Sequence, residues 1–412
     1  KMGDIMTCKI NADTSDGLKI VSDTSGAVDI QSNGVTKVTI DANGNVNTVG
    51  QVSTTDNGTI VTRQNAKPLI INGDMAVAQR GTVTGITTTG TYTLDRIRAD
   101  IRGGFGVQVA QSTDVPSGYG FGNSLKLDVT TADTSPDANG LLLLGYHFEG
   151  QDVQLLKYGT SSAETVTIAF WIKSNKTGTF QVNLRMVEAY HIGQLVTISS
   201  ADTWEKKVIT FVGNTANAMV NDNSDELRIQ FFFDAGSNHE GGGVPSSWAA
   251  VSATKDYNGS IDLGDNTANE VLITGLQMEV GEYTASTLPA FQHESFGDSL
   301  LRCQRYYEKS NSASEAPNAT DGAVGSCWTS LSNQDSTTLV MPCIQWKVEK
   351  RVSPTMTYYH TDGTSGQLSV QGTGRSVTAT YVGETTLGRI YVASGGTHND
   401  YVTFMFEAAA EL

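Results

Sequence analysis

The longest irregular stretch of the sequence is the segment best suited to bind a sugar. It reads DAGSNHEGGGVPSSWAAVSATKDYNG, from Asp234 to Gly259, and carries His239, Trp248 and Tyr257 among small polar residues. A flat aromatic ring can stack on the apolar face of a sugar while nearby polar groups hydrogen-bond its hydroxyls. Binding functions also concentrate in long loops. These three residues are therefore the candidate carbohydrate-binding residues. The alternative is that Trp248 covers the end of a hydrophobic core.

Two acidic segments offer oxygen ligands for a cation. NDNSDE spans residues 221–226, and DLGDNTANE spans residues 262–270. Both are rich in the hard oxygen ligands that Ca²⁺ prefers, although neither matches an EF-hand loop. Asp222, Asp225 and Glu226 are the candidate calcium ligands, and a solvated polar loop is the alternative. Apart from calcium, no cofactor is expected.

Motifs of hydrolytic and nucleotide-dependent enzymes are missing from the sequence. There is no His-Glu-x-x-His, no Gly-x-Ser-x-Gly and no Walker-type phosphate loop. The six histidines are scattered singly, without the spacing of a metal-ligand pair. Asp234, Glu240 and Asp256 are candidate carboxylates for glycoside cleavage, but such a pair must lie about 5–9.5 Å apart in space. Sequence spacing in a β-protein does not show that distance, and we expect no enzymatic activity.

The composition excludes several classes of partner. The chain has 412 residues, with 27 Lys and Arg against 43 Asp and Glu, and a formal net charge of −16. Nucleic-acid backbones and anionic membrane surfaces attract basic proteins, so neither is an expected partner. No apolar run reaches the length of a membrane span, and we expect no membrane insertion. The four cysteines form no Cys-x-x-Cys pair, which predicts reduced thiols in a protein folded inside a cell.

Alternating apolar residues predict β-strands along most of the chain. Residues 67–295 contain the strongest patterns, among them TVTIAFWIKS, TFQVNLRM and LRIQFFF. Strands with one apolar face are typical of antiparallel sheets packed into a sandwich, and a jelly roll with long loops fits this length. Residues 312–412 contain six shorter strand patterns, which predict a second, smaller sandwich.

The amino-terminal residues show a weaker pattern of short apolar pairs separated by glycine turns, in units of about ten residues. Residues 1–66 hold too few aliphatic side chains to offset a backbone ordering cost of roughly 1–2 kcal/mol per residue. Sharing a core with identical chains around an axis would solve this problem. The segment is therefore predicted to form short strands in an assembly, and a disordered leader is the alternative.

One segment, HESFGDSLLRCQRYYEKSN, predicts a helix. Its apolar stripe follows a 3.6-residue period and consists of Phe296, Leu300, Cys303 and Tyr307. Ser295 and Asp298 form a start signal similar to a capping box. We expect a connector helix over residues 296–311, with the stripe buried between the two sandwiches. The cationic residues expected to face outward or to pair with acids are Arg302, Arg305 and Lys309.

Six motifs, taken in order, resemble a module of bacteriophage and prophage tail fibre proteins. They are INGDMAVAQRGT, YTLDR, VTIAFWIKSNKTGTF, TWEKK, ITGLQMEVGEYTAS and CQRYYEKS. In that family a carbohydrate-binding-like jelly roll is followed by a Cys-Gln-Arg-Tyr-Tyr helix and a terminal β-domain. The leader DGLKIVSDTSGAVDIQSNGVTKVTIDANG resembles those of virion fibres, especially in marine phages, and FMFEAAAEL resembles the usual chain ending.

The resemblance implies a homotrimeric structural protein of the virion, assembled in the cytoplasm of the host bacterium. Its amino-terminal segment would join other virion proteins, and its sandwiches would contact the host cell as a tail fibre and bind a surface glycan. The family offers no catalytic residues. Two alternatives stay open: a capsid-attached head fibre or decoration protein with a structural role, and a polysaccharide depolymerase.

The predicted organisation is thus all-β with four parts. Residues 1–66 form an attachment and trimerisation segment, and residues 67–295 form a jelly-roll-like, carbohydrate-binding-like sandwich. Residues 296–311 form the connector helix, and residues 312–412 form a smaller C-terminal sandwich.

Overall fold

A computed structural model describes most of the chain. The described residues are 28–32, 35–40, 42, 46–48, 52–54, 58–60, 67–187, 189–312, 315, 327–330, 332–333, 339–340, 343–370, 379–392 and 401–412. Across these ranges the protein is all-β with one α-helix, as the strand patterns predicted. No helix in them is long and apolar enough to cross a membrane. The chain divides into two compact units, Lys1–Thr62 with Thr287–Pro289, and Arg63–Ser286 with Ala290–Leu412.

The described residues of the first unit form two small antiparallel sheets. Their strands are β1 (Val28–Ser32), β2 (Val35–Ile40) and β3 (Val46–Thr48) in one sheet, and β4 (Val52–Thr54) and β5 (Gly58–Ile60) in the other. Val28 pairs with Ile40 and Ile30 pairs with Val38, so these four apolar residues share one face of the first sheet. Ile30 and Ile40 are 53% and 38% exposed, which leaves this face partly open to solvent.

The second unit is built around a sandwich of two antiparallel sheets. From edge to edge, the six-stranded sheet contains β15 (Glu205–Phe211), β12 (Val166–Ser174), β18 (Glu270–Val280), β10 (Ser124–Thr131), β9 (Gly106–Ser112) and β6 (Val83–Ile86). The seven-stranded sheet contains β17 (Ala249–Ala250), β14 (Tyr190–Ile198), β13 (Gly178–Met186), β16 (Asp225–Ala235), β11 (Leu141–Glu149), β8 (Ile97–Arg102) and β7 (Thr91–Tyr92).

The core of the sandwich lies between the inner faces of these sheets. Phe170 of β12 reaches Phe231 of β16, with ring centroids 5.1 Å apart in an edge-to-face arrangement. Phe180 of β13 packs on Phe233 at 5.1 Å. All four rings are buried, and they are the alternating residues of the strand patterns in the sequence. The predicted sandwich is therefore confirmed.

In the carboxyl-terminal part of this unit, the residues that the structure describes form two further sheets. In the first, the long strand β28 (Tyr401–Ala409) pairs with β19 (Tyr307–Lys309), β20 (Cys327–Ser330), β24 (Thr355–Tyr359) and β25 (Ser369–Val370). In the second, β27 (Leu387–Val392) pairs with β22 (Leu339–Val340), β23 (Ile344–Gln345) and β26 (Ala379–Gly383), and β22 pairs with β21 (Ser332–Asn333). A small core of Trp346, Leu368, Phe404 and neighbouring residues supports the first sheet.

The helix α1 (Phe296–Gln304) is shorter than the sequence predicted. Its start agrees with the prediction, since the side chain of Ser295 accepts a hydrogen bond from the Asp298 N–H. The predicted end at residue 311 is wrong, because Tyr307–Lys309 forms β19 and pairs with β28. Adjacent tyrosines favour extended backbone, and this pairing satisfies backbone groups that the end of a helix would leave free.

The predicted apolar stripe is only partly buried. Cys303 and Tyr307 are buried and Leu300 is half-buried, but Phe296 is 52% exposed. The predicted burial of Phe296 is therefore wrong. Helical side chains lean towards the amino end of their helix, so the first helical residue projects past the packed surface. The buried cluster at the helix consists of Ile71, Val77, Cys303 and Tyr306, with Leu300 and Leu412 packed against it.

The three cationic residues of this segment have different environments. Arg302 pairs with Glu294 at 2.6 Å, and Arg305 forms a bidentate pair with buried Glu149 at 2.7 Å. Lys309 is almost fully buried, and its ammonium group donates to a backbone carbonyl. The two arginines pair with acids as predicted, whereas Lys309 does not face outward, because its position in β19 turns it inward.

Three of the four cysteines are described, and all three are free thiols. Cys303 is buried, Cys327 is partly buried and Cys343 is exposed. Cys8 lies outside the described residues. The described thiols agree with the expectation of reduced cysteines.

Candidate functional site

The long segment between β16 and β18 is fastened to the outer face of the seven-stranded sheet. Gln181 and Asn183 of β13 donate from their side-chain amides to the carbonyls of Lys255 and Asp256, at 2.8 and 2.9 Å. The N–H of Gly193 in β14 donates to the carbonyl of Pro245 at 2.8 Å. These bonds hold the segment in one position on the sheet.

His239 belongs to the internal support of this segment. It is buried, with Nδ1 3.1 Å from Asp256 Oδ2 and Nε2 3.4 Å from an Arg102 nitrogen. The other oxygen of Asp256 lies 3.6 Å from Nδ1 of His191, which is fully buried. Burial lowers the pKa of His191, although the charge of Asp256 acts in the opposite direction. His239 is therefore enclosed by protein groups and offers no free surface to a sugar.

The two aromatic candidates also pack inward. Tyr257 is fully buried against Leu141, Leu143 and Phe232. Trp248 is half-buried against the sandwich core, donates from Nε1 to the Val212 carbonyl at 2.7 Å and meets the ring of Tyr158 edge-on. The prediction of carbohydrate-binding residues is therefore wrong for His239 and Tyr257, which are buried. Trp248 covers the end of the hydrophobic core, which is the alternative interpretation of this residue. Removing its apolar ring surface from water stabilises the folded protein.

The same segment forms one wall of a cleft of about 450 Å³. Residues 133–136 and 234–237 form the other walls. Five carboxylate residues line the cleft, namely Asp133, Asp234, Glu240, Asp262 and Asp265. The folded chain thus brings together acids from three separate parts of the sequence.

The electrostatics of the cleft are dominated by these acids. Burial raises the pKa of Asp234 to about 7, opposed by the hydrogen bond that its carboxylate accepts from Gly264 N–H at 2.9 Å. Burial and the negative charge of Asp262 also raise the pKa of Glu240. Lys176 forms an ion pair with Asp265 at 2.7 Å. The cleft therefore presents hydrogen-bond acceptors to neutral or cationic ligands and repels anions.

Sequence reasoning found only part of this cleft. The sequence indicates Asp234 and Glu240 as candidate carboxylates, and Asp262 and Asp265 lie in one of its two acidic segments. Asp133 was missed, because nothing in the local sequence shows that its loop folds against a segment a hundred residues later. The third candidate carboxylate, Asp256, bonds to His239 and does not line the cleft.

The three predicted calcium ligands are used within the protein. Asp225 accepts hydrogen bonds from His147 and Arg228, each at 2.8 Å. Burial of the Asp225 carboxylate raises its pKa, but these two partners lower it further, so the pKa lies below the usual value. Asp222 accepts the backbone N–H of Ser224 at 2.8 Å. Burial raises the pKa of Glu226. In the described part of the chain, no group of His, Cys, Asp and Glu is arranged to hold a metal ion. The arrangement around Asp225 is an ion-pair network.

No family model and no curated protein matches the sequence. Among solved structures, the chain is similar to the enzymatically active domain of bacteriophage CBA120 tailspike protein 4, with 12% identity, a TM-score of 0.28 and coverage of 52% of this chain. It spans only 21% of that protein's chain.

Carbohydrate-binding modules are further structural neighbours. A family 11 module from Clostridium thermocellum has 12% identity and a TM-score of 0.25, and the match covers 49% of this chain and 96% of the module. The CBM22-1 xylan-binding domain from Paenibacillus barcinonensis has 10% identity and a TM-score of 0.23, with coverage of 54% and 100%. These identities and TM-scores are too low to carry an argument about the function of this chain.

Proposed function

We propose that the chain is a bacteriophage virion fibre subunit that contacts the host cell surface and binds a glycan there without cleaving it. The phage context comes from the six ordered motifs that resemble tail fibre proteins. The observation that carries glycan binding is the carboxylate-lined cleft of about 450 Å³ at the carboxyl-terminal end of β16. This volume lies within the range of sites that hold small ligands, roughly 300–1,000 Å³.

Binding in the cleft would depend on hydrogen bonds from sugar hydroxyls or amines to carboxylates. Asp262 and Glu240 are exposed and can accept such bonds without leaving other groups unpaired. A hydrogen bond to a charged group stabilises a complex by about 1.5–3 kcal/mol. Because the cleft repels anions, the preferred ligand is a neutral or amino-bearing glycan rather than a strongly acidic one.

The first unit fits the fibre part of the proposal. Its sheet of β1, β2 and β3 presents the apolar residues Val28, Ile30, Val38 and Ile40 on one face, two of them well exposed. Identical faces of three chains would cover one another and form the trimer, and the same segment would join other virion proteins. Three weak sugar sites on one fibre would then act together through avidity.

The test is binding of the purified full chain to a panel of bacterial surface polysaccharides. We expect a subset to bind, and the double variant Glu240→Gln and Asp262→Asn to bind at least about tenfold more weakly, since 1.4 kcal/mol corresponds to tenfold. Glu282→Gln is the matched control, because this exposed carboxylate lies beyond the opposite end of β18. Failure of the wild-type chain to bind any polysaccharide would contradict glycan binding.

A second candidate function, polysaccharide cleavage, is favoured by one observation. Asp234 has a pKa of about 7, and a glycosidase needs a carboxylic acid that keeps its proton near neutral pH. Against this role, Asp234 is almost fully buried and one of its oxygens already accepts a bond from Gly264. Release of new reducing ends during the binding assay would favour cleavage over binding alone.

A capsid-attached role is distinguished by position on the virion. A reconstruction of the virion that places this chain on a head vertex or hexamer would support a head fibre or decoration protein. Density for the chain at the distal end of the tail apparatus would support the tail fibre.

A further inference from the structure

An exposed aromatic ring lies on the outer face of the six-stranded sheet, away from the loops considered so far. Tyr119 is 55% exposed, although its ring packs on Trp171 of β12 with centroids 4.3 Å apart and planes inclined at 49°. Trp171 itself is almost fully buried. Tyr119 thus has one face resting on an indole and the remainder of its ring open to solvent.

The local sequence keeps the space around this ring empty. Tyr119 stands in Gly118-Tyr119-Gly120-Phe121-Gly122, where Gly118 and Gly120 have φ of +84° and +81°. These are left-handed conformations that a residue with a side chain adopts only at a cost. A Cβ atom at Gly118 or Gly122 would meet no atom within 4 Å, so open solvent surrounds both positions.

The ring and the loop that carries it both pack against neighbouring side chains. The ring rests on Trp171. Phe121, two residues further along the chain, anchors the loop: it packs over Gly275 of β18 and contacts the rings of Phe291 and His293, with centroids 5.1 and 5.3 Å away. A side chain fixed before binding loses little conformational entropy when a ligand arrives.

Hydrogen-bonding groups lie on the same face of the sheet. Lys173 follows Trp171 by two residues in β12, and Lys206 of β15 is the cross-strand partner of Trp171. Lys173 donates to Asp114 Oδ2 at 2.6 Å, and the indole N–H of Trp204 donates to the other oxygen at 2.9 Å. Asp114 keeps a substantially exposed side chain despite these bonds, and Lys206 is exposed.

We infer that Tyr119 is the stacking platform of a glycan-binding site, which takes a pyranose ring on its open face and uses Asp114 and Lys206 to bind the hydroxyl groups. An exposed aromatic ring that packs on an indole, beside a carboxylate and an ammonium group, matches the two surfaces of a pyranose, one apolar and one polar. The inference rests on the proposed glycan-binding function and assigns it a site separate from the acidic cleft.

The test compares Tyr119→Ala and Tyr119→Phe in the full chain, with the polysaccharide that the wild type binds. We expect Tyr119→Ala to weaken binding at least about fivefold and Tyr119→Phe to retain it within about twofold, because stacking needs the ring and not the hydroxyl. The matched control is Tyr401→Ala, since Tyr401 is 66% exposed in β28 and should be dispensable. Thermal denaturation should be nearly unchanged for all three variants.

A second readout reports on the platform directly. Trp171 lies under Tyr119, so oligosaccharide binding should change tryptophan fluorescence in the wild type and much less in Tyr119→Ala. If Tyr119→Ala binds normally while the double variant Glu240→Gln and Asp262→Asn loses binding, Tyr119 is not the stacking platform and the proposed glycan-binding function stands. If the wild type binds no glycan, both are wrong. If Tyr119→Ala instead changes the oligomeric state, the ring is a contact between chains and the inference is overturned.

Discussion

At the scale of single residues, most polar side chains of the long loop serve the protein itself. His239 and Asp256 bond to each other, and Tyr257 fills an apolar cluster below them. Buried polar groups cost free energy unless they are paired. A loop that covers a sheet therefore uses its own polar side chains in hydrogen bonds within the protein. Asp234 is the exception, because its burial is only partly compensated by Gly264 N–H.

Asp234 should make the stability of the protein fall as pH rises. Its folded pKa of about 7 lies above the unfolded value of 3.8. Below pH 3.8 the carboxyl is protonated in both the folded and the unfolded state, so folding buries no charge and the protein has its full stability with respect to this group. Between these values the folded state keeps a proton that the unfolded state has lost, so stability declines, and above pH 7 the cost reaches at most about 4 kcal/mol.

Asp234→Asn should therefore raise the free energy of unfolding by roughly 1–4 kcal/mol at pH 8, and the gain should shrink as the pH falls towards 4. Urea denaturation at a series of pH values measures this difference. Glu282→Gln is the surface control and should show no such trend. A gain that stays constant between pH 4 and pH 8 would contradict the assigned burial cost.

At the scale of elements, the helix α1 connects the sandwich to the sheet around β28. Its buried side is small: Cys303 lies in a cluster with Ile71, Val77 and Tyr306, and Leu300 packs at the margin. β19 follows at once and pairs with β28. The helix and this strand together attach the two parts of the second unit.

Leu300→Ala should therefore destabilise the protein more than Phe296→Ala. A half-buried leucine should cost about 1–3 kcal/mol, below the 2–5 kcal/mol of a fully buried one. Phe296 is exposed, and its replacement should stay within about 0.5 kcal/mol. Chemical denaturation of the two variants provides the comparison. Equal losses would show that Phe296 is covered in the native assembly.

At the scale of the whole molecule, two features bear on assembly. The carboxylate of Glu411 pairs with Arg80 at 3.0 Å and Arg96 at 2.9 Å, so the end of the chain is tied to the start of the sandwich. The guanidinium of Arg96 also lies 3.4 Å from the centre of the Tyr306 ring. These contacts join the last residues of the second unit to residues beside its first strands. The first unit, in contrast, exposes the apolar side chains of Ile30 and Ile40.

The first unit should accordingly hold identical chains together. Light scattering of the full chain should give about three times 43.9 kDa, the mass of one chain. Replacing Ile30 and Ile40 by Ser should release monomers, because the shared apolar face loses its largest side chains. Lys37→Ser, on the opposite face of β2, should leave the mass unchanged. A wild-type monomer would contradict the proposed trimer.

The sequence by itself determined the features that depend on local periodicity. Alternating apolar residues located the strands of the sandwich, and Ser295 with Asp298 located the start of α1. These signals are local because side-chain direction repeats every two residues in a strand and every 3.6 in a helix. The same reasoning failed at Tyr307, where pairing with the distant strand β28 overrode a helical spacing.

The tertiary structure alone decided which residues are accessible and which lie together. Tyr119 and Tyr257 are both tyrosines in glycine-containing polar stretches, yet one is exposed and the other is fully buried. Asp133 and Asp234 are about a hundred residues apart in the sequence, and they line one cleft. Exposure and proximity depend on how the sheets stack and how the loops fold over them, and both result from burying apolar surface across the whole chain.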